Sequence, residues 1–248
     1  MNKLEYYVFS KKNTKGEDKP NEDLAIFDEK QNLGLILDGV SRDRENGLYP
    51  NPSPALRATE IFLETVLSAG LSDDVTGISK IEKLILAGNS KLKSYNEKLN
   101  NRFLAGTVGI VFSIEGGYFN YGYIGDSYGG FIRENKMRIF TECQTKSVIE
   151  SKSKYTTNEI RYDICNHINH PMGYGVWDGS SAAMDFVKYG TIRLCDEDVL
   201  YLFTDGLINE VRSIPVSELI RTTPFELFDG ISCENMDDRT CIKIVVGE

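Results

Sequence analysis

Apolar residues along this chain fall into short runs rich in β-branched and aromatic side chains, each bounded by glycine, asparagine or acidic residues. The pattern predicts strands over Leu4–Ser10, Leu24–Phe27, Leu33–Leu37, Thr107–Ser113, Gly117–Ile124, Gly129–Arg133 and Lys136–Phe140. Strands resume over Ala183–Tyr189, Thr191–Leu194, Val199–Phe203 and Thr240–Val246. Glu115-Gly116-Gly117, Glu134-Asn135 and Tyr189-Gly190 read as turns, and connections this short favour antiparallel meanders over a parallel sheet.

The periodicity changes between Asn51 and Asn100. Leu56, Ile61, Phe62, Val66 and Leu67 recur at near-helical spacing behind Ser53 as N-cap and Pro54 at the first helical position. Ile78, Ile81, Leu84, Ile85 and Leu92 form the stripe of a second helix, and both stripes read as core-facing surfaces. A third helix is predicted to open at Thr223, where Pro224 and Glu226 complete a capping-box pattern. Strands, a helix pair and strands again, without a proline-rich or low-complexity linker, read as one α+β domain over residues 1–248. The least regular stretch, Cys143 to Gly179, holds His167, His170 and Trp177 and is expected to form a flap beside a site. Pro171 and the absence of a nearby third ligand argue against a metal-binding histidine pair, and Trp177 reads as a packing anchor.

Composition narrows the function classes. A chain of 248 residues can bury a substantial core, and its net charge of -9 without a compensating basic run argues against a duplex nucleic-acid partner. Lys146 to Lys154 is locally basic and reads as a solvated loop. The five cysteines have no CxxC spacing, which excludes a zinc knuckle and a disulfide framework. No apolar run approaches the ~20 residues of a membrane span, so the expectation is a cytoplasmic monomer with no membrane partner.

Acidic pairs at the edges of the apolar runs add chemistry. Glu22-Asp23 precedes a strand-like run, Asp38-Gly39 follows Leu33–Leu37, Asp205-Gly206 follows Val199–Phe203, and Asp237-Asp238 precedes Cys241–Val246. Carboxylates gathered at the ends of buried strands repel one another and lose hydration, so such a cluster persists only if protonated or neutralised. Mg²⁺ and Mn²⁺ prefer oxygen ligands and suit that role.

The order of short motifs carries further information: Asn21-Glu22-Asp23, Leu37-Asp38-Gly39-Val40, Ala105-Gly106-Thr107, Gly125-Asp126-Ser127, Thr204-Asp205-Gly206-Leu207 and Asp237-Asp238-Arg239-Thr240. The series resembles the protein phosphatase 2C family of metal-dependent serine/threonine phosphatases, in that family's order and across most of the chain. The resemblance implies a four-layer αββα sandwich, two antiparallel sheets flanked by helix pairs, with a binuclear Mg²⁺ or Mn²⁺ centre at one end. It implies Asp38 as the residue bridging both ions with help from the Gly39 carbonyl, Asp205 and Asp237 on the first ion, Glu22 on the second, and Asp126 at a third, weaker site. Asp38, Asp205 and Asp237 are then the catalytic set. Two ions about 3.5 to 4 Å apart share a bridging water and lower its pKa, so that hydroxide attacks phosphorus in line and no protein nucleophile is required. Gly39, Gly106, Gly125 and Gly206 stand where a side chain would crowd metal, water or a neighbouring strand.

The chain departs from the family pattern where substrate phosphate would be gripped. The arginine that relatives often carry before Asn21 is replaced by Asp18 with Lys19 beside it, Val40 stands where eukaryotic members have histidine, and Tyr128 replaces a second arginine. Lys19 and Arg42 are the candidate phosphate-binding residues, though a lysine offers a point charge rather than a fork. The expected partners are a phosphoprotein substrate and a cognate serine/threonine kinase. Two alternatives stand beside this reading: a noncatalytic phosphoprotein-binding module of the same fold, and a phosphatase of small phosphorylated molecules.

Overall fold

The computed structural model describes residues 3–13, 19–41, 44, 46–71, 74–99, 105–151, 154–231 and 237–247. Among the described residues, ten strands form two five-stranded sheets in which every strand pairing is antiparallel. One sheet orders β1 (Leu4–Lys11), β10 (Arg239–Val246), β9 (Val199–Phe203), β6 (Tyr128–Arg133) and β7 (Lys136–Ile139). The other orders β2 (Leu24–Asp28), β3 (Leu33–Gly39), β4 (Thr107–Glu115), β5 (Tyr118–Ile124) and β8 (Lys188–Arg193).

Side-chain alternation along the strands explains the layering. In β3, Leu33, Leu35 and Leu37 face the helices α1 (Pro54–Ser68) and α2 (Gly77–Asn96), packing with Phe62, Val66, Ile81 and Ile85. Ile36, of opposite parity, points between the sheets and joins Ile110, Phe112, Leu200, Leu202, Ile242 and Ile244. In β9, Leu200 and Leu202 enter that inter-sheet core, whereas Tyr201 and Phe203 pack outward with Leu207, Val211, Leu219 and Phe228. The result is a four-layer αββα sandwich. A strand buried on both faces reads as a continuous apolar run, as in Val199–Phe203.

The start of α1 follows its cap chemistry. The Ser53 hydroxyl accepts from Leu56 N at 3.1 Å, and Pro54 opens α1. Between β7 and β8 lie α3 (Lys146–Ser151), α4 (Thr157–Glu159) continuing into a π-helical turn at Ile160–Ile164, and a 3₁₀ turn at Ser181–Phe186. Short helices α5 (Ile208–Ser213), α6 (Val216–Arg221) and α7 (Pro224–Phe228) cover the outer face of the β1–β7 sheet, and α7 carries the expected capping box between Thr223 and Glu226.

Three expectations need correction. Lys146–Ser151, expected as part of a solvated loop, is helix α3 with Val148 buried. Most of Ala183–Tyr189 is not a strand: Ser180 caps a 3₁₀ turn over Ser181–Phe186, and β8 begins only at Lys188. Tyr189-Gly190 is not a turn either, since β8 runs straight through both residues beside β5. Gly190 sits there because the Tyr121 ring lies over it, where a Cβ would come within 2.3 Å of the phenol oxygen.

Candidate metal centre

Antiparallel register gathers the acids at one end of the sandwich. Asp38, next to last in β3, pairs with Val108 near the start of β4, beside the closing Gly39–Thr107 pair. Asp126 follows the end of β5, whose Ile124 pairs with Gly109 of that same β4. Asp205 follows β9 and Asp237 precedes β10, and those strands meet at Phe203–Cys241. Each carboxylate therefore leaves a strand at the same end, where the two sheets face each other.

Asp38, Gly39, Asp126, Asp205 and Asp237 line one cleft of about 280 Å³. Val40, Val108, Val148, Ile149, Ile160 and Tyr174 supply its apolar wall, and no lysine or arginine among the described residues lines it. Burial pushes the Asp38 carboxyl well above the ordinary carboxylate range, and the negative charges of Asp23, Asp205, Asp237 and Asp126 push it further. Thr107 Oγ1 fixes the end of β3 by donating to the Asp38 carbonyl at 2.8 Å, and Thr145 Oγ1 donates to Asp126 Oδ2 at 2.7 Å.

The acidic pairs divide their labour. Asp237 faces the cleft, whereas Asp238, 3% exposed, accepts backbone N–H bonds from Asn13 and Glu22, both at 2.8 Å. Asp23 is buried with Thr204 Oγ1 donating to it at 2.8 Å. Burial, opposed by that hydroxyl and assisted by Asp238 and Asp237, raises its pKa to about 8. Gly206 is required by close approach, because a Cβ there would come within 2.0 Å of the Asp238 carbonyl oxygen. Gly125 combines φ +83° with contact against Val108, a backbone that L side chains rarely adopt.

Glu22 lies apart from the cleft lining. It is 1% exposed and receives Tyr49 OH at 2.6 Å, Ser41 Oγ at 2.8 Å and the Ser53 hydroxyl. Lys19 Nζ adds an ion pair with Glu22 Oε2 at 3.0 Å and stands 4.0 Å from Asp237 Oδ1. Burial opposes the Lys19 charge, but Glu22, Asp237 and Asp238 together hold its pKa above the ordinary lysine value. Lys19 is thus committed to carboxylates rather than open for phosphate, and Arg42 lies outside the described residues.

The sequence gives no obvious signal for Tyr49, for the Ser41 and Ser53 donors, or for Arg161. The Arg161 guanidinium is buried against Gly106 with none of its three nitrogens in a hydrogen bond among the described residues. His167 and His170 make local loop contacts, through Nε2 to the Tyr162 carbonyl and Nδ1 from Met172 N. Trp177 is fully buried and stacks on Phe62 with ring centroids 4.5 Å apart.

The donor set suits a hard divalent cation: every polar group that the four aspartates present is a carboxylate oxygen. Their placement is open, since no group of three His, Cys, Asp or Glu among the described residues is already close enough to hold an ion.

No protein-family model matches the chain, and no characterised protein matches it by sequence. Solved structures match it over nearly its whole length. A Mycobacterium tuberculosis serine/threonine phosphatase, PstP/Ppp, superposes with a TM-score of 0.74 at 17% identity, covering 99% of both chains. The catalytic domain of PstP in complex with two manganese ions gives 0.69 at 17% identity, again over 99% of both chains. The S. agalactiae serine/threonine phosphatase gives 0.68 at 16% identity, over 98% of this chain and 100% of that one. The fold is that of the protein phosphatase 2C type.

Proposed function

We propose that the chain is a Mg²⁺- or Mn²⁺-dependent phosphatase that hydrolyses phosphoserine and phosphothreonine in proteins. The observation that carries this reading is the convergence of Asp38, Asp126, Asp205 and Asp237 on one cleft, in a fold shared with serine/threonine phosphatases. Asp38, Asp205 and Asp237 would hold the principal metal, with the Gly39 carbonyl beside them and Asp126 as an outlying ligand. Divalent ions bound there supply activated water and charge neutralisation at phosphorus. The chain's own residues prepare that chemistry. Thr107 anchors the Asp38 backbone, Thr145 orients Asp126, and Val108, Ile160 and Tyr174 add apolar surface to the cleft lining. Ser41 on the cleft wall donates a hydrogen bond to Glu22, and no histidine among the described residues lines the cleft, which favours direct attack by water over a covalent phosphoserine.

The stretch around α3, α4 and the π-helical turn supplies Thr145, Val148, Ile149, Thr157, Ile160 and Tyr174 to the cleft and is the flap of this reading. Four cysteines, Cys143, Cys165, Cys195 and Cys241, are unpaired, which favours a reducing cytoplasm. A serine/threonine kinase is the partner that would supply the substrate, because only such an enzyme makes the ester hydrolysed here.

Purified protein is expected to hydrolyse p-nitrophenyl phosphate and a phosphothreonine peptide with Mn²⁺, and to lose both activities in EDTA. Turnover that persists in EDTA and in Asp38→Asn would overturn the mechanism. The open placement of the acids favours a second reading, a phosphoprotein-binding module without catalysis. Calorimetry showing no Mn²⁺ binding, with phosphopeptide binding retained, would select it.

A further inference from the structure

Among the described residues, four donors surround the Glu22 carboxylate. A carboxylate has about four lone-pair positions. Tyr49 OH and Ser53 Oγ donate to Oε1, while Ser41 Oγ and Lys19 Nζ approach Oε2 at 2.8 and 3.0 Å. A divalent ion ligated by these oxygens would have to displace at least one of the four donors from a carboxylate that is itself 1% exposed. The Lys19 ammonium lies between Glu22 and Asp237, 4.0 Å from the latter, so a metal ion entering this space would also meet a positive charge.

We infer that Lys19 is the resident cation at the Glu22 end of the acidic site and takes the position of a metal ion, so that divalent metal is confined to the cleft of Asp38, Asp126, Asp205 and Asp237. The ammonium neutralises Glu22 and part of the Asp237 charge, and the three hydroxyls hold the Glu22 carboxylate in place. Lys19 therefore acts as a positioning residue through Asp237. This inference rests on the proposed metal-dependent reading for the cleft itself, and its test is metal stoichiometry rather than turnover.

The experiment titrates the full chain with Mn²⁺ by calorimetry, with circular dichroism confirming the fold of each variant. Glu22→Gln is expected to bind as many Mn²⁺ equivalents as the parent, with Kd within about threefold. Lys19→Met releases the Glu22 carboxylate and is expected to gain one equivalent, which Lys19→Met combined with Glu22→Gln loses again. Loss of an equivalent in Glu22→Gln, or unchanged stoichiometry in Lys19→Met, overturns the inference. If Glu22→Gln does not fold, the comparison of the parent with Lys19→Met decides alone. Should the parent bind no Mn²⁺ while Lys19→Met binds one, the inference stands and the metal-dependent phosphatase reading falls; no binding by either sinks both.

Discussion

At the scale of the residue, adjacent acids in one dipeptide do different work. Asp237 faces the cleft; its Oδ1 accepts from Asp238 N at 3.0 Å, an acceptor that asparagine keeps, and Lys19 stands 4.0 Å away. Asp238 satisfies two backbone N–H groups that join the segment after β1, the start of β2 and the start of β10. Asp237→Asn is therefore expected to abolish Mn²⁺-dependent hydrolysis of p-nitrophenyl phosphate while unfolding in urea at nearly the parent midpoint. Asp238→Ala leaves the Glu22 N–H unsatisfied in a buried place and is expected to cost about 2 to 3 kcal/mol in the same urea titration. If the two variants exchanged phenotypes, the assignment within the pair would be reversed. Strand-edge position picks out Asp38 and Asp205 in the sequence, because each ends an apolar run and precedes glycine. The hydroxyl group around Glu22 was not legible, since Ser41, Tyr49 and Ser53 come from a loop and a helix cap that only the folded chain brings to one carboxylate. Arg161 was equally hidden. A buried guanidinium without hydrogen bonds among the described residues is costly, so Arg161→Met is expected to raise the thermal midpoint; a fall would mean that the charge finds compensation in solution.

At the scale of the element, period-two and period-3.6 patterns located most strands and the long helices because each buries a wide apolar face. The short helices α5 and α6 were missed for the complementary reason: each buries one residue of its own, Val211 and Leu219, too few to mark a period. The false turn at Tyr189-Gly190 has a packing cause that local chemistry cannot reveal, namely the cross-strand Tyr121 ring. Polar contacts then tie elements together. Arg133 of β6 donates from Nε and a terminal nitrogen to both Asp198 carboxylate oxygens at 2.8 and 2.6 Å, and Asp198 also accepts from Cys195 N at 2.8 Å. This fork links the end of β6 in one sheet to the β8–β9 connection leaving the other. Asp198 is 1% exposed and Arg133 is partly solvated, so the loss is smaller than for a fully buried pair. Asp198→Ala is expected to lower stability by about 2 kcal/mol, measured by urea denaturation, with Mn²⁺ affinity unchanged. Ser53 couples helix to site, capping α1 while donating to Glu22, and Ser53→Ala should cost about 1 to 2 kcal/mol.

At the scale of the whole molecule, the acidic end stores repulsion that the layered core must overcome. Burial raises the Asp23 pKa from 3.8 to about 8, and burial with four neighbouring carboxylates moves Asp38 in the same direction. A carboxyl that holds its proton more tightly folded than unfolded stabilises the fold fully below its ordinary pKa, and that contribution disappears as pH rises through the folded value. In EDTA, the thermal midpoint is therefore expected to fall as pH climbs from about 4 to beyond 8. Deprotonated aspartates are also the form that binds metal, so added Mn²⁺ should restore stability most at the alkaline end. At a hundredfold excess over Kd the gain is about 2.7 kcal/mol, or roughly 5 to 10 °C for a chain of this size. Differential scanning fluorimetry across pH, with EDTA and with Mn²⁺, reads both effects together. A flat profile in EDTA would mean that Asp23 and Asp38 titrate normally. A Mn²⁺ gain as large at about pH 5 as at about pH 8 would mean that the ion binds somewhere other than the buried acids.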